Sequence, residues 1–166
     1  ASVTQPIQEM DKLMAWLPLN MPDSAKDESK VSIVHGDYRL DNVMFAPDDA
    51  QVIAVLDWEL STLGHPLADF SYHCMVWHIP ASLGRGIGGL DIEALGIPSE
   101  AEYMRRYCDR TGLATLEQLN TDWNFYLAYN MFRIAAILQG IAKRVEAGTA
   151  SSAQAKAAGD TARPMA

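Results

Sequence analysis

Two β-prone runs, Val43-Met44-Phe45 and Gln51-Val52-Ile53-Ala54-Val55-Leu56, are separated only by Ala46-Pro47-Asp48-Asp49-Ala50. Turn chemistry packed that closely between two such runs predicts an antiparallel hairpin. Asn42 stands directly before the first run and Asp57 directly after the second. A hairpin therefore brings these two side chains to one end, whatever the rest of the chain does. Asp37 lies five residues before Asn42, in the loop His35-Gly36-Asp37-Tyr38-Arg39-Leu40-Asp41-Asn42. The β-prone run Val31-Ser32-Ile33-Val34 leads into that loop.

An aspartate, an asparagine five residues on and an aspartate fifteen beyond it suit one chemistry well. Phosphoryl transfer asks a protein for positioning and for cancellation of charge. One carboxylate orients the attacking hydroxyl and accepts its proton, and Asp37 fits that task. Oxygen ligands hold Mg²⁺ against the phosphates, because Mg²⁺ is hard and prefers carboxylates and carboxamides. Asn42 and Asp57 fit that second task.

The remaining pattern is mainly helical. Ile7, Met10, Leu13, Met14 and Leu17 have helical spacing over residues 5–17, with Pro18 expected to end that helix. Residues 20–30 read as a polar loop. Pro66 opens a second helix through Leu67, Phe70, Cys74 and Trp77, and residues 81–98 form a long loop rich in Gly and Pro. Ser99-Glu100-Ala101-Glu102 and Thr115-Leu116-Glu117-Gln118 are capping boxes. The first starts a helix that runs to about Gly112. A long helix buried on more than one face covers residues 121–147, and 148–166 fray or continue it. The fold class is α+β, mainly α, with a small hairpin that carries the polar constellation.

Here the sequence resembles a known family. His35-Gly36-Asp37, Asn42-Val43-Met44-Phe45 and Leu56-Asp57-Trp58-Glu59 are similar to the H-G-D-x-x-x-x-N motif and downstream metal-binding Asp of the aminoglycoside phosphotransferase and choline kinase group. Gly64-His65-Pro66-Leu67-Ala68-Asp69-Phe70 matches as well. Closer still are the kinase-like domains associated with acyl-CoA dehydrogenases. Those are resembled by Glu102-Tyr103, Arg105-Arg106-Tyr107-Cys108 and residues 132–140. The resemblance covers residues 30–155.

It implies the C-terminal lobe of a protein-kinase-like fold, with ATP as donor, Mg²⁺ as cofactor and a small-molecule hydroxyl as acceptor. By resemblance Asp37 is the catalytic base, while Asn42 and Asp57 hold the metal and, through it, the nucleotide. Asp69 braces the catalytic loop as structural support. His35 packs beside that loop and hydrogen-bonds its backbone. The family's nucleotide lobe, with its strand Lys, is absent: Lys12, Lys26 and Lys30 precede Val31, and none is in a strand-like context. The expected organisation is an N-terminal helix and loop over 1–30 and the kinase-like lobe over 31–166. The face left by the missing lobe invites self-association.

Several residues have plainer readings. Gly84-Arg85-Gly86-Ile87-Gly88-Gly89 matches G-x-G-x-x-G but follows no strand and opens no helix, so it reads as a loop bordering an acceptor pocket. His65, His73 and His78 lack metal spacing and read as packing or surface residues. Tyr126, Tyr129, Asn130 and Arg133 are candidates for the acceptor site. Glu59 reads equally as solvated, substrate-facing or near the metal.

Net charge is −8 in 166 residues, with no basic run longer than a pair. That argues against a nucleic-acid partner. No stretch approaches a membrane span, and no signal-like start is visible, so a cytoplasmic location is expected. Cys74 and Cys108 read as buried free thiols. Two rival functions stand beside the kinase: a non-catalytic, pseudokinase-type binding module or inactive fragment, and a metal-dependent phosphohydrolase. The hydrolase lacks the extra ligands of a two-metal site.

Overall fold

The structure is a computed structural model that describes residues 7–149. Helix α1 spans Gln8–Leu19, strands β1 to β4 span Ser32–Val34, Val43–Phe45, Val52–Val55 and Thr62–Gly64, and helices α2, α3 and α4 span Leu67–Cys74, Glu100–Thr111 and Leu116–Glu146. Helices joined by a small hairpin are what the sequence pattern implies; the second sheet, β1 with β4, is not.

The strands are nested. β2 and β3 form the inner antiparallel pair, with Val43 opposite Val55. β1 and β4 form the outer pair, with Ser32 opposite Gly64 and Val34 opposite Thr62. Both segments that run between the pairs, residues 35–42 and 56–61, are therefore held at each end by a ladder. The inner ladder extends one step past its strands, since Leu56 N–H donates to the Asn42 carbonyl at 2.8 Å. That bond sets Asn42 beside the residue preceding Asp57.

The helices supply the core. Leu67, Phe70 and Cys74 of α2 bury against Met104 and Cys108 of α3 and Leu119, Trp123 and Leu127 of α4. The Phe70 ring stacks on Tyr107 with centroids 3.8 Å apart and packs near Tyr103 and Trp123 at 5.6 Å. Aromatic stacks of this kind add to plain area burial. Cys74 and Cys108 are both buried and free. α1 makes a satellite cluster, with Ile7 and Met10 against Ala135, Phe132 and Leu138 of α4.

Caps explain two helix starts. Ser99 Oγ accepts from the Glu102 N–H at 3.2 Å. At Thr115 both halves of the box close: its hydroxyl accepts from Gln118 N–H, and the Gln118 side chain accepts from Thr115 N–H. α4 runs unbroken from that box, so the second box and the long apolar pattern belong to one helix of 31 residues. Pro18 does not end α1; it lies inside the last turn. Asn20 closes that turn through backbone and side-chain bonds to the Trp16 carbonyl. Most of the tail expected to fray, from residue 150 on, lies outside the described residues.

Candidate active site

The loop between β1 and β2 is held from two helices. Asp69, in the first turn of α2, accepts from the N–H of His35 and, at 2.8 Å, from the N–H of Gly36. Arg133 of α4 donates from Nη2 to the Gly36 carbonyl. Gly36 itself requires the left-handed region, with φ at 85°, and a Cβ there would lie 2.5 Å from the Leu60 carbonyl oxygen. Only glycine fits both conditions.

His35 is buried. Its Nδ1 accepts from the Asp37 N–H at 3.2 Å, which leaves Nε2 to carry the proton and donate to the Leu56 carbonyl at 2.7 Å. With both ring nitrogens engaged, His35 ties the Asp37 loop to the Asp57 segment and is not placed as a second base.

Asp37 sits at the centre, its side chain 20% exposed. One oxygen, Oδ1, accepts from the Tyr72 hydroxyl at 2.6 Å. The other, Oδ2, accepts from Asn42 Nδ2 at 3.2 Å and lies 3.5 Å from Arg39 Nε. Asn42 is buried, and its amide also donates to the Asp37 carbonyl at 2.9 Å. Those bonds commit the Asn42 NH₂ and leave its oxygen as a free acceptor. Asp57 is exposed, and no described side chain engages its carboxylate. Among the described residues it alone, glycine aside, has positive φ, at 65°. Aspartate tolerates this region better than most residues, but it still stores strain of a kind common at functional positions.

The donor chemistry fits Mg²⁺. Asn42 offers an amide oxygen and Asp57 a free carboxylate, both hard ligands. Among the described residues, no group of three or more His, Cys, Asp or Glu forms a closed metal cage. Mg²⁺ is ordinarily held by one or two such groups with phosphates and water completing the shell, so two donors suffice.

Beside this centre lies a cavity of about 450 Å³. Its walls are mostly apolar: Met75, Trp77, Ile79, Ile87, Ile97 and Ile134, closed by the Tyr72 ring. Arg39 and Arg85 are its cationic residues and Asp41 its one acid. The glycine-rich loop forms one wall. Ile87 N–H donates to the Val76 carbonyl and Gly88 N–H to the Ile79 carbonyl. A Cβ at Gly86 would meet the Ile79 oxygen at 1.8 Å, so that glycine exists for close backbone approach.

Of the four α4 residues singled out from the sequence, none lines the cavity. Tyr126 is buried beside Ser24, with its hydroxyl 3.2 Å from the Ser24 oxygen. Asn130 is fully buried and donates to the Ala68 carbonyl and Ser71 hydroxyl. Tyr129 is exposed. Arg133 donates to the Gly36 carbonyl in the loop between β1 and β2. Glu59 and His78 are exposed, and His78 pairs with Glu100 at 2.8 Å. The residue that sequence reasoning missed is Tyr72. The signal for it was its place three residues after Asp69, one helical turn along the same face of α2.

The polar loop, clamped by two helices, lies beside an apolar cavity, and comparison with known proteins identifies the class. The sequence profile of the phosphotransferase enzyme family matches residues 1–119, and the chain belongs to that family. The solved structure of a candidate aminoglycoside phosphotransferase from Ralstonia eutropha is 61% identical. It superposes with a TM-score of 0.88, covering 99% of this chain and 48% of the other. Acyl-CoA dehydrogenase family member 10 of Mus musculus is 46% identical over 168 residues, all of this chain and 15% of that protein. Family member 11 of the same species is 41% identical over 167 residues, 21% of its length. The chain thus spans about half of its structural relative and about a fifth or less of these dehydrogenase family members.

Proposed function

We propose that this chain is the metal- and acceptor-holding lobe of a kinase-like phosphotransferase. The reaction moves the γ-phosphoryl group of ATP to the hydroxyl of a small molecule. One observation carries this reading: Asp37 and Asn42 are hydrogen-bonded together in a loop clamped by Asp69, and the hairpin returns Asp57 to the same end.

Asp37 orients the acceptor hydroxyl. The hydroxyl oxygen forms the new P–O bond as the bond to the β-phosphate oxygen breaks and ADP leaves; the hydroxyl proton passes to Asp37. Asn42 and Asp57 would hold Mg²⁺, which would supply neutralisation of the phosphate charge. Arg39, 3.5 Å from Asp37, stands on the cavity wall beside that carboxylate.

The cavity favours an acceptor with an apolar body. Aminoglycosides are polycations and call for carboxylates, whereas this cavity offers two arginines and one aspartate. A hydroxylated acid or an acyl-CoA bearing a hydroxyl fits better. ATP turnover by the intact protein, with hydroxyacyl and aminoglycoside acceptors compared, tests this. Turnover on aminoglycosides alone would overturn the acceptor assignment, and no turnover on any acceptor would overturn the phosphotransferase reading.

A second reading concerns the chain by itself. No lysine lies in its four strands, so none of them offers the cation that would grip the nucleotide from the opposite side. Ile33, Phe45, Ile53, Trp58 and Leu63 of the nested strands and their turns are exposed, Ile33 by 70% and Leu63 by 71%. In isolation the chain acts as a binding module that self-associates through that face. Among the described residues no helix is long and apolar enough to cross a membrane.

A further inference from the structure

Asp37 is not itself a wall of the apolar cavity. Two residues that touch it are: Arg39 and Tyr72. Tyr72 is buried, and it does two things at once. It lines the cavity, and its hydroxyl donates to Asp37 Oδ1 at 2.6 Å. The ring is in turn covered by the Arg133 guanidinium, 5.1 Å from the ring centroid, and the same guanidinium holds the Gly36 carbonyl. Asp69 and Tyr72 are one turn apart on α2, and Asn130 and Arg133 are one turn apart on α4. Asn130 locks the two helices together at Ala68 and Ser71. Tyr72 thus sits on a rigid bracket that also fixes the loop it points at.

We infer that Tyr72 is the positioning residue for Asp37, fixing the carboxylate so that Oδ2 alone faces the acceptor hydroxyl and linking the filled cavity to the base. This inference rests on the phosphotransferase reading. The physical reason is geometric. A carboxylate free to rotate offers either oxygen at the wrong angle; Tyr72 pins Oδ1 while Asn42, 3.2 Å from Oδ2, steadies the other, so Oδ2 is presented in a single direction. The phenol is suited to the task because it remains a donor. Burial, then the hydrogen bond to Asp37, pushes its pKa up to about 12. Arg133 holds the ring where the cavity needs a wall, so an acceptor seated on that wall is registered against the carboxylate.

The test is Tyr72→Phe in the intact protein, which keeps the ring, the cavity wall and the Arg133 contact, and removes only the donor. Phosphoryl transfer from Mg·ATP is followed as ADP release, with a hydroxyacyl acceptor and with water as acceptor. The expected result is a kcat about 10- to 100-fold lower, with KM for ATP and for the acceptor within about twofold of wild type and the melting temperature little changed. Tyr126→Phe is the control, since it removes another buried phenol, bonded to Ser24 and remote from the loop, and it leaves kcat unchanged. Arg133→Met is the second variant, used if Tyr72→Phe folds poorly. It leaves the phenol in place but frees Gly36 and the ring, and it too lowers kcat with KM for ATP preserved.

Equal kcat in wild type and Tyr72→Phe would overturn the role of Tyr72 while leaving the phosphotransferase reading intact. So would an equal loss in Tyr126→Phe. Wild-type protein that transfers phosphoryl to neither acceptor would overturn both.

Discussion

The Asp69 carboxylate accepts from the backbone N–H of Gly36 at 2.8 Å, across 33 residues of sequence. The same carboxylate holds the N–H of His35. One side chain at the start of α2 therefore fixes the backbone conformation from which Asp37 departs. Charge-assisted bonds to backbone donors are the stronger kind, and leaving two partly buried N–H groups without acceptors adds a desolvation penalty. Asp69→Ala is expected to lower stability by about 3 kcal/mol and to abolish transfer. Asp69→Asn keeps one good acceptor and falls between. Chemical denaturation beside an ADP-release assay checks both, and an Asp69→Ala protein as stable as wild type would refute the clamp.

Gly36 gives a sharper contrast, because another glycine shares its backbone geometry without its crowding. Gly84 has φ of 79° with nothing within 4 Å of the place an added Cβ would take, whereas at Gly36 the Leu60 carbonyl oxygen stands 2.5 Å away. Gly84→Ala is expected to cost only the left-handed penalty, about 1 kcal/mol. Gly36→Ala adds a backbone clash that moves either the Asp37 loop or the 56–61 segment. Melting temperatures of the two variants separate these contributions.

The inner hairpin was legible in the sequence because its turn is five residues long and its two runs are apolar and β-prone. The outer pair was not. Thr62-Leu63-Gly64 is too short for a pattern, and its partner Ser32-Ile33-Val34 lies thirty residues earlier. Asp37, Asn42, Asp57, His35 and Asp69 all stood out by motif, and the structure gathers Asp37, Asn42, His35 and Asp69 through direct hydrogen bonds. Asp57 comes in only through the hairpin register. The roles of Tyr72 and Arg133 were harder to read. Helical spacing sets Tyr72 one turn from Asp69, and Arg133 stood out only as an acceptor-site candidate, but their contacts with Asp37 and Gly36 span 35 and 97 residues, so no nearby sequence marks those partners. Pro18 misled because, so near the end of α1, it costs the helix only one N–H bond, the one to the carbonyl four residues earlier, while Asn20 still closes the turn.

Asn130 tests the bracket between α2 and α4. It is fully buried, and its NH₂ bonds the Ala68 carbonyl at 3.0 Å and the Ser71 hydroxyl at 2.8 Å. Asn130→Ala is expected to cost about 2–3 kcal/mol through lost bonds and a small cavity. Asn130→Asp is expected to be worse, because it trades a buried donor for a buried charge. Urea midpoints at constant slope give the comparison directly.

His73 makes stability depend on pH. Burial holds its imidazole below the ordinary 6.5. His65 is shifted the same way, chiefly by desolvation. Each is neutral in the fold and protonates more readily when unfolded. Their contribution is thus fully present above pH 6.5, the unfolded value, and is lost as pH falls from there toward the lower folded value. The lowered carboxylates Asp23 and Asp27 act only further down, below their ordinary 3.8. His73→Phe preserves the ring contacts with Tyr38 and Tyr103 and is expected to flatten the stability profile as pH falls below 6.5. An unchanged slope in that window would show that His73 is not the group responsible.

Asp57 offers a separation of fold from metal binding. Its backbone is left-handed, with φ 65° and ψ 54°, and its carboxylate has no partner among the described residues. Asp57→Gly relieves the backbone while deleting the ligand, so stability is expected to stay within about 1 kcal/mol of wild type. Asp57→Ala keeps the strain, loses the ligand and falls below Asp57→Gly. Asp57→Asn keeps an oxygen but loses the charge. In the intact protein, Mg²⁺-dependent ATP binding measured by calorimetry is expected to disappear in the Gly and Ala variants and to weaken at least tenfold in Asn, since a hard dication depends strongly on ligand charge. Asp37→Asn in the same assay is expected to bind Mg·ATP normally and to lose about 10²- to 10⁴-fold in kcat. If Asp57→Gly bound Mg·ATP like wild type, the metal would have to be held elsewhere, and the pairing of Asn42 with Asp57 would fail.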